Sequence, residues 1–195
     1  MNSFFAMMSR MKYIDRWALM RNSRRENLSE HSLEVSMIAH ALAVIGNTYL
    51  GKDLDAEKTA LLALYHDSTE IITGDMPTPV KYDNAQLKTS YKDMEQKAAQ
   101  KLLSMLPEEM QPAYRDIFEK NEDDAYLWKL VKAADKLSAY IKCIEEEQAG
   151  NREFASAAQS TLSHIEKLGL PEAEIFMDTF MDAYGRNLDE LTGGC

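Results

Sequence analysis

Hydrophobic residues recur at helical spacing along most of the chain. In segment 29–45, five residues lie three or four positions apart and therefore share one helix face: His31, Val35, Ile38, Leu42 and Ile45. Ser29 stands before this face as a candidate N-cap. The pattern predicts an amphipathic helix whose buried side begins with a histidine.

Five further helices are predicted after this one. Asp55 is a good N-cap for a helix that carries Leu61, Leu62 and Leu64 and leads to His66. The other four are expected at about 84–105, 123–148, 151–168 and 171–191. Segment 123–148 shows a stripe that we expect to be buried, made of Leu127, Leu130, Val131, Ala134, Ser138 and Ile141.

No segment alternates polar and apolar residues as a half-buried strand would, and there is no internal repeat. The chain has only 8 Gly and 5 Pro, which leaves little material for a β protein with many turns. The fold class predicted is all-α. At 195 residues, we expect a single domain over 1–195.

Charge and composition narrow the possible partners. The net charge is −10, which argues against a nucleic-acid polymer because binding to a phosphate backbone needs a basic surface. A small phosphorylated ligand needs only local positive charge. We find no apolar run of membrane-spanning length, and Arg10 and Lys12 interrupt an N-terminus that reads as a first helix instead of a signal peptide. The two cysteines suggest no disulfide framework and a reduced cytosolic compartment.

Several ionisable residues stand on apolar helix faces. His31 lies four residues before Val35, and His66 lies four after Leu62. Glu70 lies four after His66, so the two would share a side if the helix persisted. Asp135 stands inside the apolar stripe of its helix, where a carboxylate must be paired or bind a metal, because burying it bare costs several kcal/mol.

Each of these residues alone has an ordinary structural explanation. His31 could be a hydrogen-bonded core histidine, His66 and Asp67 could simply end a helix, and Asp135 could pair with Lys132 or Lys136. Taken together, two histidines and two aspartates form a complete ligand set for one divalent transition metal. The two carboxylates balance its charge. His40 and His164 do not fit this set and are expected to be structural or at the surface.

The segment after His66 predicts a stiff loop. Pro77 and Pro79 fix their own φ and restrict the residues before them, so Asp75 and Thr78 would be presented with little entropy left to lose. Before the first long helix, Arg16 offers planar paired donors that suit phosphate oxygens. Alternatively, Arg16 and Trp17 only cap and cover the first helix.

The order His31, His66-Asp67, Asp135 resembles the H…HD…D signature of the HD-domain superfamily of metal-dependent phosphohydrolases. The flanking segments 16–43, 64–82 and 132–146 look like the bacterial YfbR-type 5′-deoxynucleotidases. The resemblance covers the chain to about residue 150. Beyond that point, helices at about 151–191 carry no motif. The implied architecture is a single HD-domain helical bundle.

The resemblance implies hydrolysis of deoxyribonucleoside 5′-monophosphates by a cytoplasmic homodimer that uses one divalent cation such as Co²⁺ or Mn²⁺. Its metal ligands fall on His31, His66, Asp67 and Asp135, and His31 also borders the substrate. The phosphate-orienting arginine falls on Arg16, beside Trp17 in the substrate wall, and the catalytic glutamate falls on Glu70. The sugar-contacting segment falls on Asp75, Met76, Pro77 and Thr78. Glu70 or Asp67 would act as the general base.

Two other functions remain open at the level of the sequence. The first is another HD-domain phosphohydrolase, acting on a nucleoside triphosphate, a cyclic nucleotide or an alarmone. A triphosphate would call for more basic residues than Arg16 supplies, and the acidic chain disfavours it. The second is a non-catalytic helical regulatory module. An intact ligand set with Glu70 argues against that alternative.

Overall fold

The computed structural model of the chain describes residues 2–77, 84–119 and 121–193, and regular structure in these ranges is helical. The α-helices are α1 (Phe4–Met8), α2 (Leu28–Leu50), α3 (Ala56–Tyr65), α4 (Glu70–Thr73), α5 (Ala85–Leu103), α6 (Gln111–Phe118), α7 (Ala125–Gln148), α8 (Ala155–Leu168), α9 (Pro171–Phe180) and α10 (Leu188–Leu191). Short 3₁₀ helices occupy Ser9–Tyr13, Arg152–Phe154 and Met181–Gly185. The predicted all-α class is confirmed.

The start of α2 differs from the sequence prediction. Asn27, not Ser29, is the N-cap: its side chain accepts hydrogen bonds from the backbone N–H groups of Ser29 and Glu30. The Glu30 side chain accepts in return from the backbone N–H of Asn27. This reciprocal pair is a capping box, which satisfies donors that the first helical turn leaves free. It places His31 in the first turn of α2.

Helices α2, α3 and α7 pack against one another and form the main core. The predicted faces of α2 and α7 are buried, with Val35, Leu42, Leu130 and Ile141 at most 2% exposed. Burial of these faces supplies the main stabilising free energy of the bundle, because apolar area is removed from water. The C-terminal helices contribute to the same cluster through residues that include Ile165 and Phe176.

The structure adds one detail to the predicted elements and differs from them in two. Leu61 and Leu64 are 42% and 38% exposed, because α3 packs inward mainly through Leu62 and Ala63. The expected helix 171–191 is broken at Phe180 into α9, a 3₁₀ turn and the short α10, which has its own N-cap at Asn187. Helix α6 was not anticipated.

Helix α2 is apolar on two sides. Its inner side faces the core, whereas Leu33, Met37 and Val44 on the outer side are 41–60% exposed. By length and mean hydropathy alone, α2 could therefore cross a membrane. Ten of its residues are nevertheless buried against other helices, including His31 and Ser32. The high hydropathy reflects a core helix that also carries an exposed apolar stripe.

Candidate metal and phosphate site

Three elements bring the four predicted ligands together. His31 lies in the first turn of α2, His66 and Asp67 follow directly on the end of α3, and Asp135 lies in the middle of α7. One ligand atom of each residue lies within 4.8 Å of the others. The two imidazole rings are 5.3 Å apart, centroid to centroid. Side chains that are distant in sequence therefore surround one small volume.

The hydrogen bonds of the two Nδ1 atoms, on the side of each ring away from that volume, determine which ring nitrogen carries the proton. Nδ1 of His66 lies 2.7 Å from the carbonyl oxygen of Ala63, which can only accept a hydrogen bond. Nδ1 of His31 lies 3.0 Å from Oγ of Ser138, whose own proton is donated to Glu34 at 2.6 Å. In both rings Nδ1 is thus the protonated nitrogen, and the lone pair stays on Nε2.

The Nε2 atoms are the buried polar atoms that this arrangement leaves without an aligned hydrogen bond. Carboxylate oxygens nevertheless lie close: His31 Nε2 is 3.3 Å from Asp135 and 3.6 Å from Asp67, and His66 Nε2 is 3.0 Å from Asp67. Buried polar groups normally have a partner. Two imidazole lone pairs and two carboxylates aimed at one point fit a divalent cation, whose bonds would satisfy all four.

The electrostatics of the cluster favour charged carboxylates. Burial raises the pKa of Asp67, but His66 and His31 in their protonated form, whose charge a bound cation would replace, outweigh this effect and hold it well below its usual value. Burial likewise raises the pKa of Asp135, whereas Lys136 and His31 lower it by more, so that it ends far below its usual value. Both groups are therefore anionic at neutral pH and able to balance the charge of a divalent cation.

Arg16 and Trp17 lie on the loop before α2 and are held by Glu26. Arg16 Nε is 3.4 Å from the Glu26 carboxylate, and the Trp17 indole N–H donates to the same carboxylate at 3.1 Å. Burial lowers the pKa of Arg16, but Glu26, Asp135, Asp67 and Asp75 together raise it. Arg16 therefore interacts electrostatically with Asp67 and Asp135 of the four-residue cluster. A residue that only covered the first helix would not need this interaction.

Trp17 has an unusual backbone. Its φ is 57°, in the left-handed region that bulky residues seldom adopt. The ring packs against Phe154 at 5.3 Å between centroids, and Phe154 is 1% exposed. Such strain persists where the surroundings fix the residue, and it is common at ligand sites.

The remaining predicted residues are placed as follows. Helix α3 ends at Tyr65, and a turn separates it from α4, so the condition under which His66 and Glu70 would share a helix side is not met. Glu70 begins α4 and is 7% exposed. Asp75, Met76 and Pro77 are half-buried in the following loop. Thr78, like Pro79, lies outside the described residues.

One interaction at the site was among the alternatives that the sequence offered, and one was not anticipated. Lys136 Nζ donates to Oδ2 of Asp135 at 2.8 Å, whereas Lys132 is exposed. The hydrogen-bonded side chains of Glu34, Ser138 and His31 join α2 to α7 across more than 100 residues of sequence. His40 and His164 are exposed, as expected.

Comparisons with known proteins agree with this geometry. The family model for "5′-deoxynucleotidase YfbR-like" proteins matches residues 3–184. A 5′-deoxynucleotidase of Erwinia tasmaniensis is 47% identical over 97% of this chain and 96% of its own length. The 5′-deoxynucleotidase YfbR of an Escherichia coli strain is 48% identical over 97% of this chain and 95% of its own.

Solved structures show the same fold at lower identity. An HD-domain phosphohydrolase from Listeria innocua is 22% identical, covers 98% of this chain and 92% of its own, and superposes with a TM-score of 0.81. The cyanophage S-2L HD phosphohydrolase DatZ, solved with dA and one catalytic Zn²⁺, is 16% identical, covers 91% of this chain and 96% of its own, and gives a TM-score of 0.65. With the family match over nearly the whole chain, these findings show that the protein belongs to the YfbR-like 5′-deoxynucleotidase family and has the HD-domain phosphohydrolase fold.

Proposed function

We propose that this protein hydrolyses deoxyribonucleoside 5′-monophosphates to the deoxynucleoside and phosphate, using one divalent cation held by His31, His66, Asp67 and Asp135. The activity is the one for which its family is named. The observation that carries the mechanism is the convergence of these four side chains within 4.8 Å, with unpartnered Nε2 lone pairs facing inward. A divalent cation in such a site supplies a more acidic water and polarises a phosphate oxygen.

Arg16 orients the phosphate. Its Nε is directed to Glu26, which leaves the paired terminal N–H groups for phosphate oxygens. A monoester is dianionic at neutral pH and repels an attacking oxygen, so catalysis rests mainly on positioning and charge neutralisation. Because Glu26 holds both Arg16 and Trp17, one carboxylate fixes the phosphate donor and the adjacent wall together.

Glu70 is the proposed general base. It stands at the start of α4, three residues beyond the ligand Asp67, and is nearly buried. A carboxylate there could accept the proton of the attacking water. Asp67 is the alternative base if one of its oxygens is free of the cation.

Trp17 and the segment from Asp75 to Thr78 form the proposed sugar site. Asp75 raises the pKa of Arg16, so its charge acts on the phosphate donor, and it could accept a hydrogen bond from a sugar hydroxyl. Trp17 is held between Glu26 and Phe154 and would leave no room for a 2′-hydroxyl. Met76, Pro77 and Thr78 complete this segment. His31, one of the proposed ligands, would also border the substrate.

The identity of the metal, the cellular location and the oligomeric state are proposed from the family resemblance. Co²⁺ or Mn²⁺ suits a set of two imidazoles and two carboxylates. A cytoplasmic location fits a chain with two cysteines, of which Cys143 is buried and free. A homodimer is supported by the exposed apolar stripe of α2, formed by Leu33, Met37 and Val44.

The test is phosphate release from a panel of deoxyribo- and ribonucleoside mono- and triphosphates, measured with Mn²⁺, Co²⁺, Mg²⁺ and Zn²⁺. We expect phosphate from the deoxyribonucleoside monophosphates, with a higher kcat/KM than for the matched ribonucleotides. Asp135→Ala should lose bound metal, whereas Glu70→Ala should retain metal and lose turnover. Direct metal analysis separates the two variants.

Three results would contradict the proposal. Release of pyrophosphate or triphosphate from dATP, with no cleavage of dAMP, would indicate a different HD-domain phosphohydrolase. No activity towards any nucleotide in the metal-loaded protein would favour a regulatory module. Equal kcat/KM for ribo- and deoxyribonucleotides would remove the role given to Trp17.

A further inference from the structure

Lys136 is the basic residue nearest the four-residue cluster. Asp135 presents its two oxygens in different directions: Oδ1 lies 3.3 Å from His31 Nε2, and Oδ2 accepts a hydrogen bond from Lys136 Nζ at 2.8 Å. Among the described residues, Asp135 is the acceptor that the ammonium group contacts. An ammonium has three N–H donors, so two remain available for another acceptor.

The cluster opens to solvent on the side of Lys136. His31 is fully buried and His66 is 10% exposed, whereas the side chains of Asp67, Asp135 and Lys136 are 25%, 21% and 32% exposed. A substrate must approach from this accessible side. The partly exposed Lys136 side chain therefore lies on the accessible side of the cluster, with its ammonium group next to the Asp135 carboxylate.

The local charges favour a cation at this position. Asp67 and Asp135 together balance a divalent ion, and Glu26 balances Arg16. Glu70 and Asp75 add negative charge nearby, on a chain whose net charge is −10. By this count Lys136 halves the excess negative charge around the site, which reduces the repulsion of a phosphate dianion. Arg16 and Asp67 act electrostatically on Lys136, which places its charge within their reach.

We propose that Lys136 is a second phosphate-binding group, which donates to the 5′-phosphate in addition to Arg16. The proposal rests on the proposed function and extends it, since the sequence offered only Arg16 for this role. A charge-assisted hydrogen bond from lysine to phosphate contributes to ground-state and transition-state binding alike. Lys136 would therefore affect KM and phosphate affinity more than kcat.

A simpler role for Lys136 would be to hold Asp135 in place. The following experiment separates this positioning role from phosphate binding. Cobalt affinity is measured from the visible absorption of Co²⁺ added to metal-free protein. Inorganic phosphate affinity is then measured by calorimetry on protein saturated with Co²⁺, with no turnover involved. Lys136→Met is compared with Lys136→Arg, which keeps the charge, and with Lys132→Met, an exposed lysine one turn earlier on α7.

We expect Lys136→Met to weaken phosphate binding, and to raise KM for dAMP, by about tenfold or more, while cobalt affinity changes less than threefold. Lys136→Arg should recover most of the affinity, and Lys132→Met should match wild type. Weaker cobalt binding with unchanged phosphate affinity at saturating cobalt would overturn the proposal in favour of positioning alone. If phosphate affinity falls as expected but no monophosphate is cleaved by wild type, the phosphate site stands and the proposed function fails.

Discussion

One hydroxyl group decides how His31 can act as a ligand. Ser138 gives its single proton to Glu34, so it can only accept from Nδ1 of His31. This fixes the tautomer with its lone pair on Nε2, the nitrogen that faces Asp67 and Asp135. Hydrogen-bond partners of this kind orient ligand rings and raise their basicity.

Ser138→Ala should therefore weaken metal binding. The imidazole would lose its acceptor, and the wrong tautomer would become accessible to a buried ring. We expect Co²⁺ affinity to fall by about 10- to 100-fold, with little change in secondary structure by circular dichroism. Ser36→Ala is the matched control, because Ser36 lies on the same helix as His31 but donates to the backbone of Ala60. Equal cobalt affinities in the two variants would contradict the role given to Ser138.

The sequence predicted the candidate ligands but not the residues that support them. His31 and Asp135 stood out because ionisable groups on apolar helix faces are unusual. Lys132 and Lys136 were equivalent candidates as partners for Asp135, since both are close in sequence, and only the packed structure distinguishes them. The link from Ser138 to Glu34 and His31 depends on how α2 crosses α7, which helical periodicity does not specify.

At the scale of elements, the long helices were predictable and their ends were not. The periodic faces of α2 and α7 are long enough to define the core by themselves. The cap of α2 was misplaced because Asn27 and Ser29 are both good capping residues, and Glu30, three residues after Asn27, is what selects Asn27. The break after Phe180 was missed, although Asn187 and Glu190, three residues apart, form a capping box that begins α10.

A buried carboxylate, Glu146, helps to fasten the loop that carries Arg16 and Trp17 to α7, where Lys142 also donates to the carbonyl oxygen of Arg24. Glu146 is fully buried and accepts hydrogen bonds from Lys142, from Asn151 and from the backbone N–H of Ser23. Burial raises the pKa of Glu146, but these hydrogen bonds outweigh burial and lower it to about 2. The carboxylate form is therefore the one that the folded state prefers.

This pKa predicts how stability depends on pH. A carboxyl group whose pKa is lower in the folded than in the unfolded state stabilises the fold at pH values above its unfolded-state pKa. This stabilisation is lost as the pH falls towards the folded-state pKa of about 2. Glu146→Gln should reduce the free energy of unfolding at pH 7 by roughly 3 kcal/mol. It should also flatten the decline in stability between about pH 4.5 and pH 2. Urea denaturation at a series of pH values measures both effects.

Glu147→Gln is the control for this prediction, since Glu147 is the exposed neighbour of Glu146 on α7. We expect it to behave as wild type at every pH. If Glu146→Gln retained wild-type stability at pH 7, the loop would be held mainly by other contacts. The activity of the Glu146→Gln variant would then give no information on how this loop positions Arg16.

At the scale of the whole molecule, the outer side of α2 leaves Leu33, Met37 and Val44 exposed, whereas Ala41 on the same side packs at the edge of the core. Leu33, Met37, Ala41 and Val44 follow one another at helical spacing along this side. Ala41 also lines an apolar groove of ≈ 510 Å³, whose other walls include Phe176, Phe180, Tyr184 and Leu191. A stripe that continues into a groove is typical of a surface buried by association. A second copy of the chain would cover this surface and explain why α2 is apolar on both sides.

Met37→Asp should disrupt such a dimer. Met37 is 60% exposed in the centre of the stripe, so the substitution leaves the core of the protomer unchanged but would place a charge in an apolar interface. We expect wild type to sediment as a dimer, and Met37→Asp as a folded monomer that still binds Co²⁺, because the four ligands lie within one chain. Met94→Asp, on α5 and 48% exposed, is the matched control and should remain dimeric. A monomeric wild type, or a Met37→Asp variant that still dimerises, would show that the outer side of α2 is not the interface.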